Sequence, residues 1–276
     1  MDLSHPTTVT FLVYLLGMTA LGFAGWRSTK NLSDYILGGR RLGAFITALS
    51  AGASDMSSWL LMGLPGAVYA AGLSECWIAI GLVAGAWFNW YLVAGRLRVY
   101  TELAHNSLTL PDYFTRRFED PGKLLRVLSA LIILVFFTIY CASGMVAGAR
   151  LFERTFHLSY ETALWGGAAA TVFYVFLGGF LAVSWTDTVQ AMLMIVALLL
   201  APGVVLIKAG GLDEVIAIVR SVDPNHLNLF RGASWVGILS LLAWGLGYLG
   251  QPHILIRFMS ASSVHVIPNA RRISMT

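Results

Sequence analysis

The chain has 276 residues, of which 57% are hydrophobic and only 12% are charged, and its mean hydropathy is +0.73. Soluble domains carry about 25% charged residues, so this composition excludes an ordinary water-soluble protein and indicates one that is solvated largely by lipid. The net charge of +4 does not indicate nucleic-acid binding, because the basic residues lie between apolar segments rather than along one stripe. Cys76, Cys141 and the six scattered histidines have none of the spacings of a metal cluster.

Apolar segments predict seven transmembrane helices in a single domain over 1–276, since about 20 apolar residues cross the hydrocarbon core. The first segment ends at Trp26 and Arg27, which suits an interfacial anchor better than a signal peptide. The second, as one straight helix, would be about 45 Å long against a core of about 30 Å, so we expect it to be broken. The predicted spans are 7–26, 43–72 (broken), 74–95, 125–149, 160–183, 188–208 and 233–256 (broken).

The distribution of Lys and Arg predicts the orientation. Thirteen of the eighteen basic residues follow the first, third and seventh segments, and five lie in the opposite loops. The positive-inside rule therefore predicts an N-terminus outside and a C-terminus in the cytoplasm.

Two polar positions predict the starts of helices. In the inside connection 96–124, Thr109 is expected to cap a helix that has Pro111 in its first turn. Between the fifth and sixth segments we expect a tight inside turn, with Thr186 or Asp187 as the cap of the sixth helix. An acid at this inside mouth could instead attract cations.

Asp55 is the only charge between Leu42 and Ser74. A carboxylate at the centre of a span costs about 2.5–3.5 kcal/mol on insertion scales. One interpretation is an acid near a helix end whose carboxylate reaches the headgroups. The other is a functional site: Gly63 and Pro65 interrupt the helix, and non-helical backbone at this depth is tolerated only when it lines a cavity or is buried in protein. Freed carbonyls and a carboxylate suit a hard cation such as Na⁺, or a proton.

The seventh segment, "LLAWGLGYLGQPHILIRF", has the same design, with three glycines and Pro252 in its middle. Trp244, Tyr248 and Gln251–Pro252 follow at helical spacing and would project from one face, either as packing or as the wall of a site. Two Gly/Pro-interrupted segments in corresponding positions indicate the substrate site of a transporter. Tyr140, in the middle of the fourth segment, has a hydroxyl that needs a partner, in packing or in a cavity.

Several longer motifs stand together in the chain: "WRSTKNLSDYILGGRRLGAFITALSAGASDMSSWLLMGLPGAVY", "LTLPDYFTRRFED", "FFTIYCASGMVAGARLFE", "GGFLAVSWTDTVQA" and "WGLGYLGQPHILIRFM". In this combination they closely resemble the sodium:solute symporter family, and within it the bacterial members that carry proline. The resemblance implies an all-α polytopic membrane protein of the leucine-transporter type, built from two inverted five-helix repeats. This chain would hold the first repeat and the start of the second.

The resemblance also implies a function, namely the import of L-proline with Na⁺ by alternating access in the bacterial inner membrane, without enzymatic activity. Na⁺ would be the coupling ion, held by backbone oxygens of Ala53 and Met56, with Asp55 essential to its use. Arg40 would take part in sodium-coupled transport. The implied substrate-binding residues are Ser57, Tyr140, Trp244, Tyr248 and Pro252.

The last residues, "NARRISMT", read as a basic segment before another span, and members of this family have more spans than the seven predicted here. We therefore expect the chain to be the N-terminal part of a longer protein whose later helices complete the sodium site. Two alternatives are the transporter-like sensor domain of a membrane signalling protein and a fragment that cannot transport. A membrane enzyme is disfavoured, because the sequence contains no recognisable nucleophile–base pair.

Overall fold

Thirteen α-helices, joined by short 3₁₀ and π-helical segments, make up the residues that a computed structural model describes, 6–57 and 59–276. The α-helices are α1 (Pro6–Ser28), α2 (Leu32–Leu37), α3 (Ala44–Asp55), α4 (Leu64–Ala71), α5 (Cys76–Phe88), α6 (Gly95–Leu103), α7 (Leu110–Arg117), α8 (Leu124–Phe156), α9 (Tyr160–Lys208), α10 (Leu212–Val222), α11 (Trp235–Leu242), α12 (Pro252–Met259) and α13 (Ile267–Met275). Within the described residues the β-type pairing is limited to a single parallel bridge between Leu42 and Ala261.

Four described helices are long and apolar enough to cross a membrane: α1, the helix over Leu73–Leu103 that contains α5 and α6, α8, and α9. Their outward faces are strongly apolar. On α8, Leu134 and Phe136 are 67% and 65% exposed. Exposed large apolar side chains in such numbers would be unfavourable in water, so this surface suits a lipid environment.

The two interrupted segments lie at the centre of the fold. α12 packs against α3 and α6, and its Phe258 and Met259 are fully buried. The ring of Trp90, from the π-helical segment Asn89–Ala94, lies 4.5 Å from that of Phe258, centroid to centroid. The core of the described residues therefore forms where α3 and α12 pack with Asn89–Ala94, α6 and α13.

The fifth and sixth predicted spans are joined within α9, and the predicted inside turn at Thr186 and Asp187 is wrong. The helix instead changes direction at Gly179, whose φ of 58° and ψ of −160° are not helical. A Cβ atom at Gly179 would lie 2.7 Å from the Tyr35 ring, so glycine is required there both by conformation and by contact. The hydroxyl of Thr186 donates to the carbonyl of Ala182 (3.1 Å), one turn back, so it is satisfied inside the helix without a cap.

The connection 96–124 is more helical than expected, because α6 continues to Leu103. The predicted cap at Thr109 is confirmed: its hydroxyl accepts the backbone N–H of Asp112 (3.3 Å), and Pro111 lies in the first turn of α7. The carboxylate of Asp112 pairs with Arg126 of α8 (2.5 Å), which holds α7 against the start of that helix.

Candidate functional site

The first interruption begins directly after Asp55. α3 ends there, and Met56 follows in an extended conformation, with φ of −65° and ψ of 91°. A π-helical turn over Trp59–Gly63 then leads into α4. The break thus starts about two turns before Gly63 and Pro65, at the polar residues, and Pro65 initiates α4 as a first-turn proline.

The second interruption is a 3₁₀ helix over Ala243–Gly250, followed by Gln251 in an extended conformation and then by α12. The expectation that Trp244 and Tyr248 project from one α-helical face is wrong. A 3₁₀ helix has about three residues per turn, so residues four apart are rotated by about 120° from each other. Accordingly Trp244 is 49% exposed and Tyr248 only 4% exposed.

Glycines allow the second interruption to lie directly on α5. A Cβ atom built on Gly85 would lie 2.1 Å from the carbonyl oxygen of Gly245, so the two backbones touch. Beside this crossing, Asn89 is fully buried and its Nδ2 donates to the carbonyl of Tyr248 (2.9 Å). Sequence analysis did not identify Asn89, although an amide in an apolar span signals a need for a partner.

A cavity of about 130 Å³ lies between the two interruptions. It is lined by Asp55, Ser57, Trp59, Leu60, Leu82, Tyr140, Trp244, Tyr248, Gln251 and His253. Five of the expected site residues are in this lining, contributed by three different spans: Asp55, Ser57, Tyr140, Trp244 and Tyr248. Trp59 and His253 were not expected, and Gln251 was expected on the face of Trp244 and Tyr248 but not as a site residue.

The two interruptions are joined by a hydrogen bond inside the cavity. The hydroxyl of Tyr248 donates to Oδ2 of Asp55. Ser57, two residues further on, accepts the backbone N–H of Leu60 at Oγ (3.3 Å) and so caps the π-helical turn. The acid predicted for the cation site and a tyrosine predicted for the substrate site are therefore in direct contact.

Aromatic rings form two walls of the cavity. Trp59 and Trp244 stack with centroids 4.6 Å apart and an interplanar angle of 19°. On another side, Tyr140 of α8 stacks on His253 at 5.4 Å. These flat apolar surfaces, with a carboxylate between them, suit a small molecule that has both an apolar ring and charged groups.

Four of the expected site residues are not in the cavity lining: Ala53, Met56, Pro252 and Arg40. Ala53 lies in the last turn of α3 and its carbonyl accepts the backbone N–H of Met56 (3.1 Å). Ala53 and Met56 are therefore one or two residues from Asp55, at the first helix interruption. Pro252 lies between the lining residues Gln251 and His253 and is the first residue of α12.

Arg40 lies away from the cavity, between the start of α3 and the C-terminal end of α12. Its guanidinium donates to the carbonyls of Met259 (2.8 Å) and Ser107 (3.0 Å) and to the side chains of Thr101 (3.1 Å) and Asn106 (2.9 Å). Burial, and then the charge of Arg98, lower the pKa of Arg40 to about 10, so it stays charged at neutral pH.

A left-handed backbone conformation at Arg40 and the two residues before it orients the Arg40 side chain. Gly38, Gly39 and Arg40 have φ of 62°, 61° and 51°, three successive left-handed residues. Glycine adopts this conformation freely, and at Arg40 the side-chain hydrogen bonds offset its cost. The "GGR" motif therefore forms a turn that directs a guanidinium to the end of α12.

Arg98 makes a second connection at the same place, which sequence analysis did not anticipate. Its Nε donates to the carbonyl of Ala261 (2.6 Å) and its Nη2 to that of Ser262 (3.3 Å). Leu42 adds two backbone hydrogen bonds, donating to Ser260 (3.2 Å) and accepting from Ser262 (2.8 Å). These hydrogen bonds hold the residues that follow α12 against Leu42, just before α3, and against α6.

A buried ion pair joins both interrupted segments to α9. Oδ2 of Asp187 accepts from Nη2 of Arg257 (2.9 Å), Oγ of Ser50 (2.8 Å) and Oγ of Ser54 (3.1 Å). The side chains of Arg257 and Asp187 are only 8% and 14% exposed. Arg257, expected in a basic tail, belongs to α12, and Asp187, expected as a cap, pairs with it in the protein interior.

A larger groove of about 540 Å³ lies between α1 and α9, but it borders neither interruption. Among the described residues, no group of three or more His, Cys, Asp or Glu side chains could hold a metal ion. The cavity at Asp55 therefore remains the candidate site, because it combines the helix breaks, a carboxylate and convergent polar groups.

Comparison with known proteins identifies the family. Residues 35–276 match the model of the sodium:solute symporter family. The chain is 66% identical over 276 residues to a sodium/proline symporter of Escherichia coli (strain K12), covering all of this chain and 55% of that protein. It is 55% identical over 258 residues to the high-affinity proline transporter PutP of Bacillus subtilis (strain 168), covering 94% of this chain and 54% of that one. The chain thus spans about half the length of the curated relatives it matches.

Among solved structures, the chain resembles a Na⁺-coupled sialic acid symporter in a substrate-bound outward-open state. The TM-score is 0.84 at 17% sequence identity, over 99% of this chain and 57% of that one. This likeness confirms the predicted all-α fold of the leucine-transporter type. Its apolar helices indicate a multi-pass membrane protein, and the family match together with the close relatives shows that the chain belongs to the sodium:solute symporter family.

Proposed function

We propose that the full-length gene product imports L-proline together with Na⁺ by alternating access, and that it acts as a carrier rather than an enzyme. The observation that carries this proposal is the hydrogen bond from Tyr248 to Asp55, which joins the two helix interruptions across one small cavity. A symporter requires that its ion and its substrate affect each other's binding, and a shared contact between the two sites provides the physical means.

Na⁺ is the first of the two transported species. The Asp55 carboxylate and the backbone oxygens of Ala53 and Met56 would supply hard oxygen ligands at the end of α3. A carboxylate inside a membrane protein is costly without a counter-charge, so a bound cation also stabilises the ionised acid. Further ligands would come from outside this chain.

Proline is the second of the two transported species. Its pyrrolidine ring would lie against Trp244 and the ring of Tyr248, with Tyr140 and Ser57 contributing hydroxyl groups. Pro252 would act indirectly, because it fixes the start of α12 next to two lining residues. Arg40 would couple the site to the inner side by holding the end of α12 against the segment before α3.

The test is uptake of radiolabelled proline by the full-length protein with and without Na⁺. Asp55→Asn removes a charge with little change in volume. Two unit charges 4 Å apart attract by about 4 kcal/mol at an effective dielectric constant of about 20, so the Na⁺ concentration for half-maximal uptake should rise by at least about tenfold. Asp213→Asn, at an exposed acid of α10, is the control and should transport normally. Normal Na⁺ dependence in Asp55→Asn would show that this acid is structural.

We further propose a location in the bacterial inner membrane, with the N-terminus outside and the C-terminus in the cytoplasm. With Arg257 set aside because it belongs to α12, twelve basic residues on the predicted cytoplasmic side against five in the opposite loops support this orientation. In a background without native cysteines, a membrane-impermeant thiol reagent applied outside should label Asn225→Cys and spare Glu119→Cys, both exposed loop positions. The opposite pattern would reverse the orientation.

A further inference from the structure

Two buried polar atoms of residues that line the cavity have no hydrogen-bond partner among the described residues: Oε1 of Gln251 and Nδ1 of His253. Both residues line the cavity, on either side of Pro252. The Tyr248 hydroxyl and Ser57 Oγ, also on lining residues, do have hydrogen-bond partners. A buried polar atom without a partner is destabilising, so such atoms in a ligand cavity point to groups that a ligand supplies.

Neighbouring side chains and the backbone, rather than side-chain hydrogen bonds, hold these two residues in place. Gln251 is the extended residue that separates the 3₁₀ helix from α12. The His253 imidazole stacks on Tyr140 and meets the edge of Phe137, with centroids 5.4 Å and 5.3 Å away. Its backbone carbonyl accepts from Arg257 (2.6 Å). The imidazole is therefore fixed by ring contacts, and its Nδ1 is left without a hydrogen-bond partner among the described residues.

The chemistry of the two side chains matches the two ends of an amino-acid head group. A glutamine amide oxygen only accepts hydrogen bonds, and the ammonium group of a cyclic amino acid has two N–H donors. An imidazole N–H donates, and a carboxylate only accepts. The aromatic walls recognise the ring but cannot distinguish an amino acid from an uncharged ring of the same size, so selection of the head group requires polar residues.

We propose that Gln251 and His253 determine specificity for the amino-acid head group: Gln251 Oε1 accepts a hydrogen bond from the substrate ammonium, and His253 Nδ1–H donates one to the substrate carboxylate. This inference rests on the proposed function, because it assigns roles within the same cavity. It leaves Asp55 and Tyr248 to connect the substrate with the ion.

The test pairs protein variants with substrate analogues in competition against radiolabelled proline bound to the full-length protein. Tetrahydrofuran-2-carboxylate keeps the ring and carboxylate but lacks the ammonium, and pyrrolidine keeps the ring nitrogen but lacks the carboxylate. Gln251→Leu should weaken proline binding by about tenfold or more and leave binding of tetrahydrofuran-2-carboxylate unchanged. His253→Phe should weaken proline binding similarly and leave binding of pyrrolidine unchanged. Leu246→Ala, an exposed position of the same segment, is the matched control.

The analogues separate recognition from a general structural effect. If Gln251→Leu weakened proline and tetrahydrofuran-2-carboxylate by the same factor, the assignment to the ammonium would be overturned. The same holds for His253→Phe with proline and pyrrolidine. Where Gln251→Leu does not reach the membrane, Gln251→Met, of similar length, carries the same expectation. If the unaltered protein binds proline but the variants do not discriminate the analogues as expected, this inference alone is overturned. If the unaltered protein shows no Na⁺-dependent proline binding, the proposed function is overturned with it.

Discussion

Replacing Tyr248 by phenylalanine removes one oxygen from the contact between the two interruptions and leaves the ring in place. Because the tyrosine is 4% exposed, the buried apolar area hardly changes, and the loss is confined to the hydrogen bond donated to Asp55. Hydrogen bonds to charged groups contribute about 1.5–3 kcal/mol. At about 1.4 kcal/mol per factor of ten, this loss corresponds to roughly 10- to 100-fold in an equilibrium constant.

In the full-length protein, this loss should affect the coupling between ion and substrate. In a symporter, saturating Na⁺ raises the affinity for proline, and the ratio of the two affinities is the coupling factor. Tyr248→Phe should reduce this coupling factor by up to roughly 10- to 100-fold. Thermodynamic linkage requires that the factor by which proline raises the affinity for Na⁺ falls equally. Equilibrium binding of radiolabelled proline to purified protein, at zero and at saturating Na⁺, measures the first factor, and Na⁺ titration with and without proline measures the second.

The matched control is Tyr174→Phe. It also removes a tyrosine hydroxyl from a hydrogen bond, here with Oγ1 of Thr186 (2.5 Å), but within α9 and away from the interruptions. Its coupling factors should equal those of the unaltered protein. If Tyr248→Phe weakened proline binding by the same factor with and without Na⁺, the hydrogen bond would only position the ring, and the argument for coupling through it would be refuted.

Two further predictions concern the second interruption. Trp244→Ala removes the ring that stacks on the tryptophan of the first interruption and should raise the proline concentration for half-maximal uptake by about tenfold, whereas exposed Leu246→Ala should have little effect. Loss of affinity in the leucine variant alone would contradict this. Gly85→Ala places a Cβ against a backbone carbonyl and should lower thermal stability in detergent, while Gly144→Ala, where a Cβ meets nothing within 4 Å, should not. Equal stability of the two would mean that the crossing tolerates a side chain.

Much of the site's composition could be predicted from the sequence, for a physical reason. Carboxylates and aromatic hydroxyls in membrane-spanning segments need a polar partner or a water-filled cavity. Asp55, Tyr140 and Tyr248 can therefore be recognised among the surrounding apolar residues. All three line the same cavity. Their assignment to ion or substrate stays a prediction, since the geometry brings them together without a ligand.

The remaining features depend on contacts between distant parts of the chain. Arg257 and Asp187 are 70 residues apart, and nothing local distinguishes a buried arginine from a juxtamembrane one. The change of direction at Gly179 was missed because the polar residues after it resemble a turn, although their hydroxyls bond within the helix. His253 was missed because α-helical periodicity was assumed, and a 3₁₀ backbone alters which residues face the cavity. Gln251 was placed on the face of Trp244 and Tyr248 but not assigned to the site.

The fastening at the end of α12 determines where the second interrupted segment can bend. The carbonyl oxygens of four successive residues, Met259 to Ser262, accept hydrogen bonds from Arg40, Leu42 and Arg98. Met259 is the last residue of α12 and the other three follow it directly, so these bonds hold the end of the helix and the segment after it. The C-terminal end of α12 therefore cannot move without breaking contacts to two other segments. Its N-terminal end begins at a proline preceded by one extended residue, so a hinge in this segment has its least costly position at Gln251, in the wall of the cavity itself.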